Sequence, residues 1–580
     1  MKRSLLILLA LAAAAGCEPG REGADIPAPA GASREARDAE WFVDRTEEVG
    51  LDFKHVNGMV GGFHYLEIMA PGVGMFDYDG DGDLDIYVVQ GKMLGPAPPG
   101  GANGPPLNDR LYRNDLEVHQ DGTRSLLFTD VTAKSGIVAR GYGMGVAAGD
   151  INNDGWVDLY LTRFGANQMF RNKGDGTFSE ISKQSGTDDA SWSVSASFLD
   201  FDRDGWLDLY VGNYLNYSVK DDIHCFSLSG KPDYCAPSVY RPQPDRLYRN
   251  RGDGTFADVT SASGIADAFG PALGVSTADF NGDGWIDIYV ANDGQENQLW
   301  MNQRDGSFKN AALLSGAALN AAGKAEASMG VDAGDFDNDG DEDLFIANLT
   351  GEGATLYVNN GVGAFDDHGA LSGLRPQSLA YTGFGAAWLD LDNDGWLDVS
   401  TMNGGVRMIE ALGQADALFP LNQPNQLFRN LGNGRFEGVT ARAGAAFRSA
   451  EVSRGAAFGD IDNDGDTDVL VGNNNGKLRL LINAAPPRAH WLGLKLVKNR
   501  TPRDMVGARV RVDRTGRPPL WRRARADGSY ASANDPRVLV GLGDSIEVPR
   551  VQVTWPSGRV EEWTKVPLDR YTTLTEGGGK

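Results

Sequence analysis

Residues Asp335–Asp343 read DFDNDGDED, and six of the nine are carboxylates. Charges this close repel one another, so the loop must stay fully solvated or something positive must offset them. The same nine-residue pattern occurs seven times. The other copies are Asp77–Asp85 (DYDGDGDLD), Asp150–Asp158 (DINNDGWVD), Asp200–Asp208 (DFDRDGWLD), Asp279–Asp287 (DFNGDGWID), Asp390–Asp398 (DLDNDGWLD) and Asp460–Asp468 (DIDNDGDTD). Their starts lie 50 to 79 residues apart, and every copy keeps Asp at positions 1, 5 and 9 and Gly at position 6.

The flanks repeat as well. A small-residue apolar segment such as GMGVAAGD precedes each loop, with a glycine five residues before the first Asp: Gly72, Gly145, Gly274, Gly330, Gly385 and Gly455, with Ser195 in the third copy. An alternating strand such as DLYLTR follows. A third strand ends in Asn, as in LYRN from Leu111 or LFRN from Leu427, and a GDGTF-type turn leads to a short outer strand. Four antiparallel strands per repeat, at periods near 50, predict the blades of a propeller, with small residues on its crowded innermost strands. The last repeat lacks an outer strand, whereas an orphan one, Phe42–Thr46, precedes the first. The N-terminal strand is therefore expected to complete the last blade and remove the free sheet edge. The expected fold class is all-β: a seven-bladed β-propeller with calcium loops, plus a small C-terminal β-domain.

In DxDxDGxxD the side chains at positions 1, 3 and 5 converge, glycine at 6 permits the sharp turn, and position 9 adds a carboxylate. This is the oxygen-ligand logic of a calcium loop, without the position-12 Glu and flanking helices of an EF-hand. The expected ligands are Asp77, Asp79, Asp81 and Asp85; Asp150, Asn152, Asp154 and Asp158; Asp200, Asp202, Asp204 and Asp208; Asp279, Asn281, Asp283 and Asp287; Asp335, Asp337, Asp339 and Asp343; Asp390, Asp392, Asp394 and Asp398; and Asp460, Asp462, Asp464 and Asp468. Up to seven calcium ions are expected. Solvated Asp-Gly hairpin turns are the bland alternative.

These repeats resemble FG-GAP/VCBS-type repeats, found in integrin α-subunit propellers and many bacterial surface proteins. The C-terminal residues VGARVRV (506–512), DGSYASAND (527–535), GLG (541–543), VTWPSG (553–558) and EG (576–577) resemble the ASPIC/UnbV domain. Together with YCAP (234–237), the combination resembles bacterial relatives of cartilage acidic protein. The resemblance covers nearly all the mature chain. It implies a fold and calcium, and no reaction.

The N-terminus MKRSLLILLALAAAAGC has a basic start, an apolar run too short to span a bilayer, and small residues before Cys17. It reads as a lipoprotein signal with Cys17 as the lipidation site; a plain secretory signal is the alternative. The expected domains are 1–17 (signal and lipobox), 18–40 (flexible tether), 41–485 (propeller) and 486–580 (ASPIC/UnbV-like). Cys225 and Cys235 are expected to form a disulfide after export. The formal net charge of -25 argues against nucleic acid. Residues 486–580 nevertheless carry eighteen Lys/Arg against ten Asp/Glu, so this region is expected to dock on the acidic propeller or to bind an anionic glycan or lipid, with an ordinary solvated strand as the alternative.

The long insertions Gly91–Asp109, Tyr214–Asp245 and Gly404–Gln426 fall on the face opposite the aspartate loops, as does segment 55–67. Long loops on a rigid scaffold are where binding concentrates. Five residues after each position-9 Asp stands a polar residue: Gln90, Arg163, Asn213, Asn292, Asn348, Asn403 and Asn473. With His55 these form the candidate ligand face; capping of strand-end turns is the alternative. His55 and His64 near Glu67 suggest a second metal or an acid–base pair, against structural histidines. No GxSxG, HExxH or P-loop pattern is present, so no catalytic residue is assigned. The expectation is a non-enzymatic, monomeric binding or adhesion module for protein or glycan. It would be extracytoplasmic and held to the outer membrane or cell surface by its lipid alone, or secreted or periplasmic. The rivals are an enzyme of extracellular polysaccharide metabolism and an envelope assembly factor.

Overall fold

A computed structural model describes residues 40–95, 107–407, 421–486 and 489–580. Seven four-stranded antiparallel sheets follow one another along the chain, numbered here I to VII. Their first strands are Val73–Phe76, Tyr142–Gly149, Ser193–Leu199, Ala272–Ala278, Val331–Gly334, Gly383–Leu389 and Ser453–Gly459. These touch in chain order, and the last touches the first, so the sheets close a ring. The protein is a β-propeller. Each gap between neighbouring sheets holds its own apolar cluster; between I and II, for example, Phe76, Leu111 and Val131 meet Val146, Leu159 and Phe170.

The closure follows the expected register. Phe42–Asp44 pairs with Arg479–Asn483 of sheet VII, Phe42 opposite Asn483 and Asp44 opposite Leu481, a strand two residues shorter than the sequence pattern suggests. The crowding of the inner strands also has a visible cause. A Cβ on Gly72 would lie 1.9 Å from the Ala531 carbonyl oxygen, and one on Gly330 would lie 1.8 Å from that of Phe384.

The C-terminal region forms a three-stranded sheet (His490–Val497, Val538–Gly543, Tyr571–Thr575) and a four-stranded sheet (Arg509–Asp513, Leu520–Arg523, Arg550–Thr554, Val560–Trp563) around one core containing Leu494, Val510, Val540 and Trp555. Its loop Asp527–Asp535 enters the ring along the axis and hydrogen-bonds the first strand of every sheet. Ala533 exchanges bonds with Val73 and Met75, and the Ala531 carbonyl accepts from Val146. Ser195 Oγ takes the Ala531 N–H, and Asp527 Oδ2 takes the Thr277 N–H. The Ser529 carbonyl takes the Val331 N–H, Ser529 Oγ takes the Ala386 N–H, and Asn534 Oδ1 takes the Phe458 N–H. The loop is an axial plug. Among the described residues no helix is long and apolar enough to cross a membrane. Cys17 and the tether up to residue 39 lie outside the described residues.

Candidate metal centres

Each first strand runs into an aspartate loop and each second strand leaves it, so all seven loops share one face, the loop face. The glycine at position 6 takes a left-handed φ in every copy, and so does position 4, whether Gly, Asn or Arg. The backbone of each loop curls around its own carboxylates. Position 1 accepts the position-6 N–H at 2.7–3.1 Å. Position 5 accepts the position-7 N–H at 2.8–3.1 Å.

Position 9 plays a part that the pattern alone does not disclose. Its Oδ2 accepts the position-2 N–H of its own loop. Its Oδ1 accepts the N–H of the asparagine that ends the third strand, at 2.6–2.9 Å. That asparagine donates its Nδ2 to the position-2 carbonyl of the preceding sheet's loop at 2.7–3.0 Å. The series runs unbroken from Asn172 on Tyr78 to Asn483 on Leu391, and Asn114 on Ile461 bridges the closure between sheets VII and I. The loops and the ring are therefore one hydrogen-bonded device. The recurring Asn was visible in the sequence, but its partner sits one sheet away.

In five loops three carboxylates bring oxygens within 4.8 Å of one another: Asp77/Asp79/Asp85, Asp200/Asp202/Asp208, Asp335/Asp337/Asp339, Asp390/Asp392/Asp398 and Asp460/Asp462/Asp464. In the other two, position 3 is Asn152 or Asn281, an amide oxygen in place of a carboxylate. Burial pushes Asp335, Asp390 and Asp460 up to about 8, and Asp200 and Asp337 up to about 6. Among the described residues, the buried oxygens Asp79 Oδ1, Asp200 Oδ1, Asp390 Oδ1 and Asp392 Oδ1 lack any hydrogen-bond partner. Buried acceptors with nothing to accept are costly unless a cation meets them. The donor set is all oxygen, as a hard divalent cation requires, so the residues present could hold metal ions.

The second domain supplies part of the offset. A cation from it acts on position 1 of every loop: Lys495 on Asp77 (3.3 Å), Arg503 on Asp150 and Asp200, Arg509 on Asp279, Arg522 on Asp335 and on Asp390 (3.9 Å), and Arg537 on Asp460. Tyr571 donates to Asp460 Oδ2 at 3.0 Å. Arg525 pairs with Asp332 at 2.5 Å below the loops. The basic strand thus docks on the acidic ring. Ring arginines also compete for the loops: Arg249 reaches Asp202, Arg304 reaches Asp283 and Arg429 reaches Asp392.

On the far face every member of the polar series is buried and bonded within the protein, and the series forms no open ring. Gln90 Oε1 accepts from Val56 and Gly91. Arg163 pairs with Asp109 at 2.7 Å, both fully buried. Asn213, Asn292, Asn348, Asn403 and Asn473 donate to the carbonyls of Pro244, Glu296, Gly353, Pro424 and Lys477. All seven side chains are buried, so the series presents no open polar surface to a ligand. His55 is also buried; its Nδ1 accepts the Asn475 N–H, and burial lowers it to about 3. His64 pairs with Asp222 at 2.7 Å and Glu67 accepts from Tyr234 at 2.9 Å, so the two do not combine with His55 into one site. Cys225 and Cys235 form a disulfide in the far-face insertion.

The FG-GAP-like repeat model matches residues 77–161, 150–211, 228–290, 279–346, 335–400 and 413–471, and the ASPIC and UnbV model matches 498–580. Cartilage acidic protein 1 of Xenopus tropicalis is 27% identical over 344 residues, covering 58% of this chain and 48% of its own. The Homo sapiens protein is 25% identical over 365 residues, covering 61% and 49%. The chain thus spans about half the length of the curated relatives it matches. Among solved structures, the BP39L lectin from Burkholderia pseudomallei is similar at a TM-score of 0.40 and 12% identity, covering 72% of this chain and 97% of its own. The Dos1 propeller is similar at a TM-score of 0.35 and 10% identity, covering 74% and 94%. With repeats matched over more than half its length and the second model over its C-terminal region, the chain belongs to the FG-GAP-like repeat family and carries an ASPIC and UnbV domain.

Proposed function

We propose that this protein is a calcium-stabilised, seven-bladed binding module that acts outside the cytoplasm, anchored through lipid on Cys17, and presents its far face to a protein or glycan. The observation that carries the reading is the set of buried carboxylate oxygens left without partners inside loops of uniform geometry. The side chains at positions 1, 3, 5 and 9 would hold calcium. Bound calcium supplies positive charge where Lys495, Arg503, Arg509, Arg522 and Arg537 supply only part of it. Position 9, already tied to the third strand, passes the order of a loop on to the ring. In this reading the protein is a binder: His55 is buried, His64 pairs with Asp222 and Glu67 accepts from Tyr234, so the three form no joint acid–base site.

Calorimetric titration of residues 18–580 with calcium, alongside thermal melts in calcium and in EDTA, tests the reading. Several bound ions and a marked rise in melting temperature are expected. At free calcium ten times Kd each site adds about 1.4 kcal/mol. No binding heat and no shift would reduce the loops to turns. A glycan array and a pull-down in calcium buffer then separate the two partner classes.

A further inference from the structure

The starts of the first strands and the ends of the second strands meet on the far face. There the turn Tyr65–Ile68 and the disulfide-bearing insertion fill the axis beside sheets I to III, with Tyr65 packed against Trp192, Tyr214, Tyr217 and Tyr240. Beside sheets IV to VI the described residues leave a cavity of about 240 Å³. Leu273, Met329 and Phe384, from the starts of three first strands, give it an apolar wall. Asp293 and Glu352, just beyond the second strands of sheets IV and V, face it with carboxylates, and exposed Arg407 stands at its edge.

Both carboxylates are fixed in place. Asp293 Oδ2 accepts the Tyr214 hydroxyl, and Glu352 Oε2 accepts the Ala327 and Leu349 N–H groups at 2.9 and 3.3 Å. Each therefore keeps a second oxygen for which no protein hydrogen bond is found among the described residues. Neither forms an ion pair among the described residues; the charge of Arg407 acts on both from the edge and offsets only part of their burial. Arg454, stacked on Phe384 at 4.1 Å, donates to the carbonyls of Ile68, Gly404, Gly405 and Ser453 instead. Burial and the charge of Glu352 push Asp293 up to about 7, and burial raises Glu352.

We propose that this cavity binds an organic ammonium ion, a primary or methylated ammonium on a short apolar chain, with its head between Asp293 and Glu352 and its chain against Leu273, Met329 and Phe384. Two acids in partly desolvated surroundings gain most from a cation. Two carboxylates are too few for calcium, which takes six to eight oxygen ligands. The apolar wall favours a ligand with hydrocarbon to bury over a bare ion or a neutral sugar. The proposal goes beyond the macromolecular partner above and does not rest on it.

The test is calorimetric titration of the calcium-loaded chain with n-butylammonium and, separately, with neutral n-butanol. n-Butylammonium should bind with Kd in the millimolar range or tighter, at least about tenfold tighter than n-butanol. Asp293→Asn and Glu352→Gln should each weaken it by about tenfold, while Glu296→Gln, on an exposed neighbouring position, should leave it unchanged. Equal affinity for amine and alcohol, no heat from the amine up to about 10 mM, or unchanged amine binding in both carboxamide variants would each overturn the proposal. The amine–alcohol contrast in the unsubstituted chain decides the matter even if a variant does not fold. Loss of amine binding with calcium binding intact would strike this proposal and leave the metal reading standing.

Discussion

Replacing Asn302 by alanine should unfasten one joint of the ring while leaving every candidate metal ligand in place. The Asn302 side chain is buried; its Nδ2 donates to the Phe201 carbonyl at 2.8 Å and the Ile286 carbonyl at 3.2 Å, and its Oδ1 accepts the Arg304 N–H at 2.9 Å. Alanine leaves the two carbonyls without a donor, at about 1–3 kcal/mol each. The third bond lies in a turn that water can reach, so its loss adds little. Destabilisation of about 3 kcal/mol is expected, in calcium and in EDTA alike, because the lost bonds go to backbone and not to an ion. Asn302→Asp should cost more, since it sets a carboxylate oxygen against the same two carbonyls. Urea unfolding followed by tryptophan fluorescence measures this as a fall in midpoint at constant slope. A loss below about 1 kcal/mol for Asn302→Ala would show that the sheets are held by apolar packing alone and that the asparagine series is incidental.

Metal-stripped protein should become more stable as pH falls from about 8 towards 5. Burial holds Asp335, Asp390 and Asp460 at about 8 and Asp200 and Asp337 at about 6, above the ordinary carboxylate value of about 4. The folded chain then binds protons that the unfolded chain does not, so its stability drops as pH rises through those values. With saturating calcium the same groups stay ionised in folded and unfolded chains and the slope flattens; melting temperatures in calcium and in EDTA should therefore lie far apart near pH 8 and converge towards pH 5, and parallel curves would refute the account. Asp527→Ala removes acceptors for the Thr277 N–H (2.7 Å), the Thr277 hydroxyl and the Ser197 hydroxyl (3.2 Å). A loss of about 2–4 kcal/mol in the same urea assay is expected, and an unchanged midpoint would mean that the plug is not fastened at this point.

Much of the ring could be read directly from the chain. Glycine at loop position 6, alternating second strands and the orphan strand from Phe42 are local signals, and local signals survive in one dimension. What the residue pattern concealed was non-local. Nothing in LYRN says that Asn114 reaches Ile461, because the partner is a backbone carbonyl set by ring geometry. The series Gln90 to Asn473 was regular enough to suggest a ligand ring, yet its five asparagines bond the carbonyls of nearby turns, Arg163 pairs with Asp109 and Gln90 holds the segment at Val56. DGSYASAND carried a family resemblance but no hint of its place, since an axial segment makes its bonds to seven distant strands at once. The cavity of Asp293 and Glu352 has no periodic signature, because residues of three sheets and of the disulfide-bearing insertion line it together.

The plug also sets an order of events. Phe42 pairs with Asn483, and the inner strands of all seven sheets find their last hydrogen bonds in Asp527–Asp535. A chain emerging from its N-terminus first, whether from a ribosome or through a membrane, can build sheets one by one but can neither close nor lock them until those late residues arrive. Contacts between distant segments slow folding and leave strand edges unprotected meanwhile. For an acidic chain with so many clustered carboxylates, that waiting period coincides with strong self-repulsion. If calcium is met only outside the cytoplasm, the delay becomes useful: the polypeptide stays unlocked and threadable during transport and sets only at its destination.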